Sequence, residues 1–152
     1  MNSNKIPLKE FISRLENNGN AILKDCIRQN TQFSTKFIMQ RIIAQNENRL
    51  RILQQDKTII AKPLLPEDWI VQQNWAQIRS ELKSSFDLEN LNFLEANQLA
   101  VRLNEYMIGI YQAIQLKSTN AAVKKVFSSI IRRISSTNTK LKKEHLRLSA
   151  EP

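Results

Sequence analysis

The sequence predicts an all-α protein, an up-down bundle of five helices, four of them long, with a crossover or linker helix in the middle. The 152 residues include only two glycines and four prolines, too few turn residues for an all-β sandwich or barrel. Apolar residues recur every three or four positions along most of the chain, the spacing of amphipathic helices. The length suits one domain covering 1–152, whose last few residues we expect to fray.

The first two helices are predicted over roughly 7–30 and 34–55. In the first, the apolar stripe stays in phase through Gly19, which indicates a continuous helix with a close neighbour there; a break at 17–20 is the alternative. Ser34 is expected to cap the second helix, which ends near Gln55. The apolar face of the second helix is predicted to consist of Phe37, Ile38, Ile42, Ile43, Leu50 and Leu53.

A connection is predicted over 56–65, because Pro63 and Pro66 disfavour a continuous helix. The third helix is expected to begin near Pro66, since proline suits the first turn of a helix. Its buried side is predicted to consist of Val71, Trp75, Ile78, Leu82 and Phe86.

A capping box predicts the start of the fourth helix. Asn92 would accept a hydrogen bond from the amide of Glu95, and the Glu95 side chain would reach back. This helix runs to about Lys117 and is apolar nearly all round near Gly109, so we expect it to be the most buried. The fifth helix begins after Asn120, with an apolar side formed by Val123, Phe127, Ile130, Ile134, Leu141 and Leu148.

The composition argues against most familiar catalytic sites. One cysteine, Cys26, cannot form an intramolecular disulfide or a cysteine-rich zinc site, and its place on an apolar stripe predicts a buried, inert thiol. The single histidine, His145, has no glutamate three residues before it, and no G-x-S-x-G motif is present. We therefore expect a protein that is not an enzyme and uses no cofactor.

The last two helices resemble a hairpin of the ferritin-like superfamily. The resemblance rests on Tyr111-Gln112-Ala113-Ile114, on Val126-Phe127 and on the late His145. It implies a four-helix bundle, and because the di-iron ligand pattern is missing, a metal-free relative. A metal-binding bundle is the alternative, if inward polar groups of different helices face one another; the candidates are Glu16 or Asn20, Glu47 and Glu105.

Positive charge is concentrated near the end of the chain. The net charge is +9, and residues 115–152 hold nine basic and two acidic residues, whereas 63–114 hold three basic and seven acidic. On a helical wheel, six of the basic residues fall within about 100° of arc, facing away from the apolar stripe. These candidate partner-binding or nucleic-acid-binding residues, called the basic face below, are Lys125, Arg132, Arg133, Lys140, Lys143 and Arg147.

The basic face predicts a non-enzymatic binding or structural protein that meets an acidic protein partner, or else an ordinary solvated surface. Nucleic acid is an alternative partner, because aligned cations neutralise phosphates, and an anionic lipid surface is another. The sequence contains no zinc finger, glycine-rich loop or basic-region zipper, and no aromatic residue lies on the face to stack on bases.

The sequence predicts no transmembrane segment, because no stretch reaches the ~18–20 apolar residues that a membrane span needs. The start of the chain lacks the apolar run of a secretory signal, which favours the cytoplasm and leaves signal-independent secretion open. A homo-oligomer is also left open, since long apolar stripes can pair between chains.

Overall fold

In a computed structural model, the chain forms a bundle of four long helices with a short crossover. The structure describes residues 4–57 and 63–150, with side chains as far as Arg147. The helices are α1 (Leu8–Gln29), α2 (Phe33–Gln55), α3 (Asp68–Val71), α4 (Trp75–Ser85), α5 (Phe93–Lys117) and α6 (Ala121–Ala150). Two strands, β1 (Lys5–Pro7) and β2 (Leu64–Pro66), and a 3₁₀ turn at Leu88–Asn90 complete the described elements. The all-α prediction is confirmed.

Hydrogen bonds between helices show that their directions alternate. Lys9 at the start of α1 donates to the carbonyl of Gln54 at the end of α2, so these helices form an antiparallel hairpin. In the second hairpin, Gln115 near the end of α5 donates to Ser128 near the start of α6, 2.6 Å apart. Between the hairpins, α4 returns the chain from β2 towards the start of α5. The crossover helix therefore lies where the sequence pattern predicts it.

Aromatic side chains join the two hairpins in the core. Phe11 of α1 lies 6.2 Å from Phe127 of α6, and Tyr111 of α5 lies 5.6 Å from Phe127, measured between ring centroids. All three side chains are fully buried. Burial of an aromatic ring of this kind contributes about 1.5–3 kcal/mol to stability, so this contact is a major link between α1 and the C-terminal helices.

Gly19 lies inside a continuous α1, as predicted, at a close approach to α5. A Cβ atom at this position would lie 3.0 Å from Sδ of Met107. The missing side chain therefore lets Met107 approach the α1 backbone. Gly109 is different, because a Cβ built there would meet nothing within 4 Å. The expectation that α5 is the most buried helix is not met, because α5 has ten buried residues, as many as the shorter α1, and Gly109 itself is exposed.

The two-stranded sheet was not predicted from the sequence pattern. β1 and β2 are antiparallel, with Ile6 opposite Leu65 and both side chains buried. Pro7 and Pro66 have no amide hydrogen, so neighbouring residues extend the ladder: Leu8 donates to the carbonyl of Pro63, and Glu67 donates to that of Asn4. The sheet thus fixes the crossover to the start of α1.

The predicted third helix is interrupted. Pro66 ends β2, and the helical segment breaks between α3 and α4 because the Asn74 side chain caps α4, accepting from the amide of Gln77 at 3.1 Å. The Trp75 indole Nε1 donates to the carbonyl of Ile70 and keeps the two segments together. Val71, expected in the core, is 72% exposed beside this break.

Two expectations for α2 are also wrong. Ser34 is not its cap, since the helix already begins at Phe33 after Gln32, and no side chain bonds the free amides there. Phe37 is 57% exposed, because none of the other described helices covers its side of α2. Two other predictions fall partly outside the described residues. The predicted connection over 56–65 includes 58–62, and the predicted fraying of the last residues includes 151–152.

Candidate functional site

The helix that carries the basic face begins at a well-formed cap. The side-chain oxygen of Asn120 accepts from the amides of Ala122 and Val123, at 2.9 Å and 3.2 Å. The Ser118 hydroxyl oxygen in turn accepts from the amide of Asn120. These bonds satisfy amides that an α-helix leaves unpaired at its start, so the sequence itself fixes where α6 begins.

Burial on one side fixes how α6 is rotated. Its residues facing the core, Val123, Phe127, Ile130 and Ile134, are fully buried. One turn further on, Asn138 accepts from Nδ2 of Asn104 at 2.8 Å, and its own Nδ2 donates to the carbonyl of Val101 at 3.3 Å. Because an α-helix has 3.6 residues per turn, residues about half a turn away from this stripe must face outward.

The six residues of the basic face are all exposed on that outward side. From Lys125 to Arg147 they extend over about 33 Å at the rise of an α-helix. Arg133, Lys140 and Arg147 follow one another at intervals of seven residues, as do Lys125 and Arg132. Across ranges 4–57 and 63–147, the one ion pair that involves any of the six joins Arg147 to Glu144, at 2.7 Å.

The Glu144 carboxylate pairs with Arg147 at this end of the face. A hydrogen bond from Arg147 lowers the pKa of Glu144, and the positive charge of Arg41 on α2 lowers it further. Glu144 is therefore ionised at neutral pH and offsets part of the charge of Arg147. The other five residues of the basic face have no ion pair with a described side chain.

Two cavities lie beside the basic face, both on its α2 side. The first has a volume of about 380 Å³, and Lys125, Arg132 and Arg133 line it together with Asp56 and apolar residues that include Leu8 and Leu53. The second, between α2 and α6, has a volume of about 350 Å³ and includes Gln45, Arg49, Thr137, Lys140 and Glu144 in its lining. Four of the six cations thus border concave surface.

The contribution of α2 to these cavities was not found from the sequence. The segment Gln45-Asn46-Glu47-Asn48 weakens the apolar stripe of α2. In the structure, Asn46 is buried and donates to Asn20 of α1 at 3.1 Å, while Arg49 pairs with Glu16. This break in the stripe was the available signal, but its role becomes visible only in the packing of α2 against α1.

The four polar groups considered for a metal do not come together. Glu16 and Asn20 are buried, whereas Glu47 and Glu105 are exposed and paired with Lys24 at 3.4 Å and Lys142 at 3.6 Å. Within ranges 4–57 and 63–147, no group of three or more His, Cys, Asp or Glu side chains could hold a metal ion. Arg49, not another carboxylate, is the partner of Glu16 inside the bundle.

Tyr111 lies close to this buried ion pair. Burial raises the pKa of Tyr111 well above the ordinary value for tyrosine, and the negative charge of Glu16 raises it further. The phenol is therefore neutral at any physiological pH. Among the described residues, Nδ2 of Asn20 and Nε of Arg49 are buried without a hydrogen-bond partner.

The remaining residues singled out in the sequence occupy separate places. Cys26 is buried, and burial raises the pKa of its thiol to about 11, an effect that the nearby positive charge of Arg79 opposes. His145 is half-buried near the end of α6. Trp75, predicted on the buried side of the third helix, is partly buried against the core. None of these side chains lies on the basic face.

The chain matches no protein-family model, no curated protein and no solved structure at a significant level. The ferritin-like resemblance therefore stays a prediction. No helix in the described ranges is both long enough and apolar enough to cross a lipid bilayer.

Proposed function

We propose that this chain is a non-enzymatic binding protein that docks an acidic protein surface on the basic face of α6. The observation that carries the proposal is the row of exposed cations, five of which have no ion pair among the described side chains. Long-range attraction by such a row speeds the encounter with an oppositely charged partner and orients it.

The spacing of the cations favours a helical partner. Intervals of seven residues along α6 correspond to about 10.5 Å. An acidic helix that carries a carboxylate at every seventh position repeats the same distance, so each carboxylate can meet one cation in a side-by-side arrangement. Each exposed contact contributes little by itself, ~0.2–1 kcal/mol, and the affinity would come from several contacts acting together.

A designed acidic helix tests this proposal. Its binding to the protein would be measured by titration calorimetry at about 50 and 200 mM salt, with a glutamine-for-glutamate version of the peptide for comparison. The double variant Arg133→Glu and Lys140→Glu should weaken binding by at least about tenfold. Equal weakening by the matched variant Lys117→Glu and Lys124→Glu, whose exposed lysines lie off the face, would contradict a specific site.

Nucleic acid is the second candidate partner. It is favoured by the cavity that Lys125, Arg132 and Arg133 line, because three cations around one concavity suit a phosphate group. Binding to mixed duplex DNA and to single-stranded RNA should then be micromolar at low salt and fall steeply with added salt. Reversal of charge at Arg132 and Arg133 should weaken binding and flatten the salt dependence; an unchanged affinity would reject this candidate.

Self-association and location are further proposals. Phe33 and Phe37 are exposed one turn apart on α2, which is a surface on which a second copy could pack. Light scattering at two protein concentrations checks this, and a mass that stays monomeric at both counts against it. The cytoplasm remains the proposed location.

A further inference from the structure

A groove beside the last part of α6 offers space for a small molecule. It lies between the end of α4, the first half of α5 and the last part of α6, and its volume is about 600 Å³. Binding sites for small molecules typically measure about 300–1,000 Å³. We call it the His145 groove, after the histidine in its wall.

Apolar side chains form much of the His145 groove. Phe86 at the end of α4, Val101 of α5, and Leu141 and Leu146 of α6 all line it. Leu146 is 68% exposed, so its apolar surface is accessible to a ligand in the groove. An apolar ligand chain in the groove would remove these surfaces from water.

Basic side chains also line the same groove. Nδ1 of His145 is buried and has no hydrogen-bond partner among the described residues. Arg102 and Lys142 add two cations, and the one acidic residue of the lining, Glu105, lies 3.6 Å from the Lys142 amine. The lining therefore carries two positive charges and one negative charge, beside an imidazole whose Nδ1 accepts and donates no hydrogen bond among the described residues.

We propose that the His145 groove binds a small amphiphilic anion, an aliphatic chain or ring that carries a carboxylate. The apolar part lies against Phe86, Val101 and Leu146, and the carboxylate lies near Arg102 and the His145 imidazole. The guanidinium of Arg102, which is exposed in the groove, can donate a charge-assisted hydrogen bond to this carboxylate. The site is separate from the basic face, whose residues do not line this groove.

The single histidine of the chain makes a direct test available. Decanoate, kept below its critical micelle concentration, would be titrated into the protein while the ring proton signals of His145 are followed by NMR. We expect a saturable shift of these signals. Decylammonium has the same chain length and the opposite charge. It should bind at least about tenfold more weakly, because the cations of the groove repel its ammonium group and attract the carboxylate of decanoate.

Two pairs of variants locate the site. Leu146→Ser should weaken decanoate binding by about fivefold through the loss of apolar contact, whereas Leu116→Ser, at an 85% exposed leucine outside the groove, should leave it unchanged. Arg102→Gln should weaken binding by about threefold, and Lys124→Gln, outside the groove, should have no effect. All four positions are exposed, so none of these variants should prevent folding.

Three results would overturn the proposal. The first is the absence of a saturable His145 shift with decanoate. The second is equal binding of decanoate and decylammonium, which would remove the anionic part of the inference. The third is equal weakening by Leu146→Ser and Leu116→Ser, which would mean that the amphiphile coats exposed apolar surface in general.

Discussion

Arg49 of α2 holds Glu16 of α1 inside the bundle, with Nη2 of Arg49 3.1 Å from Oε2 and 3.3 Å from Oε1 of Glu16. The two side chains are only 12% and 4% exposed. A buried ion pair adds little stability compared with an apolar pair, because both charges lose their hydration, but loss of one partner leaves the other charge uncompensated.

Glu16→Ala should therefore destabilise the protein by about 3–5 kcal/mol, because Arg49 would remain buried without its partner. Urea unfolding followed by circular dichroism measures this change. Glu105→Ala is the matched control, since the Glu105–Lys142 pair is exposed, and it should cost less than about 1 kcal/mol. Equal losses in the two variants would contradict the structural difference between the pairs.

The two glycines should respond differently to alanine. Gly109→Ala should stabilise the protein by about 0.5–1 kcal/mol, because alanine favours a helix and nothing lies near the new methyl group. The stability gained by Gly19→Ala should be smaller than that gained by Gly109→Ala by at least ~0.5 kcal/mol. The reason is that Sδ of Met107 lies 3.0 Å from the new Cβ and must move. Thermal unfolding of the two variants side by side checks this, and identical gains would argue against the close approach of α1 and α5.

The capping box at the start of α5 should contribute measurably to stability. Oδ1 of Asn92 accepts from the amide of Glu95 at 2.8 Å, and the Glu95 carboxylate accepts from the amide of Asn92 at 3.2 Å. Asn92→Ala should cost about 1 kcal/mol, whereas Asn92→Asp, which keeps an acceptor, should cost much less. Urea unfolding distinguishes the two; a similar cost for both would mean that the cap oxygen is not what matters.

Cys26 should make stability fall at alkaline pH. Its pKa is raised from 9.0 to about 11 in the folded protein. Between these values the unfolded chain loses the thiol proton while the folded chain keeps it, so the contribution is complete below about pH 9 and decreases as the pH rises towards 11, by at most ~1.4 kcal/mol per pH unit.

Comparison with Cys26→Ala isolates this effect, because Tyr111, whose pKa is also raised, is present in both proteins. Urea unfolding at pH 8, 9 and 10 should show the stability of the natural protein falling relative to that of the variant above pH 9. A constant difference over this range would show that burial does not perturb the thiol.

The long helices could be predicted because their determinants are local. The capping box at Asn92 and Glu95 involves residues three positions apart, and both of its hydrogen bonds are present. The buried stripe of α6 likewise follows from spacing alone. The outward position of Arg133 and Lys140 is then a geometric consequence, so the placement of the basic face needed no knowledge of the tertiary structure.

The features that the sequence did not disclose depend on distant parts of the chain. Nothing near Lys5 indicates that it lies opposite Pro66. Phe37 and Val71 have the character of core residues, but periodicity defines a face of a helix without saying whether another element covers it. For the same reason, the cavity between Gln45 and Lys140 could not be predicted, because its lining combines residues of α2 and α6 that are distant in the sequence.

The small sheet has a consequence for the order of folding. Because β1 precedes α1 and β2 follows α2, their pairing closes a loop around the entire first hairpin. Closing a long loop costs conformational entropy before its contacts form, so α1 and α2 should associate earlier than the strands do. Conversely, the ladder can open while the long helices stay together. The amide hydrogens of β1 and the crossover should therefore exchange with solvent faster than those in the cores of the long helices.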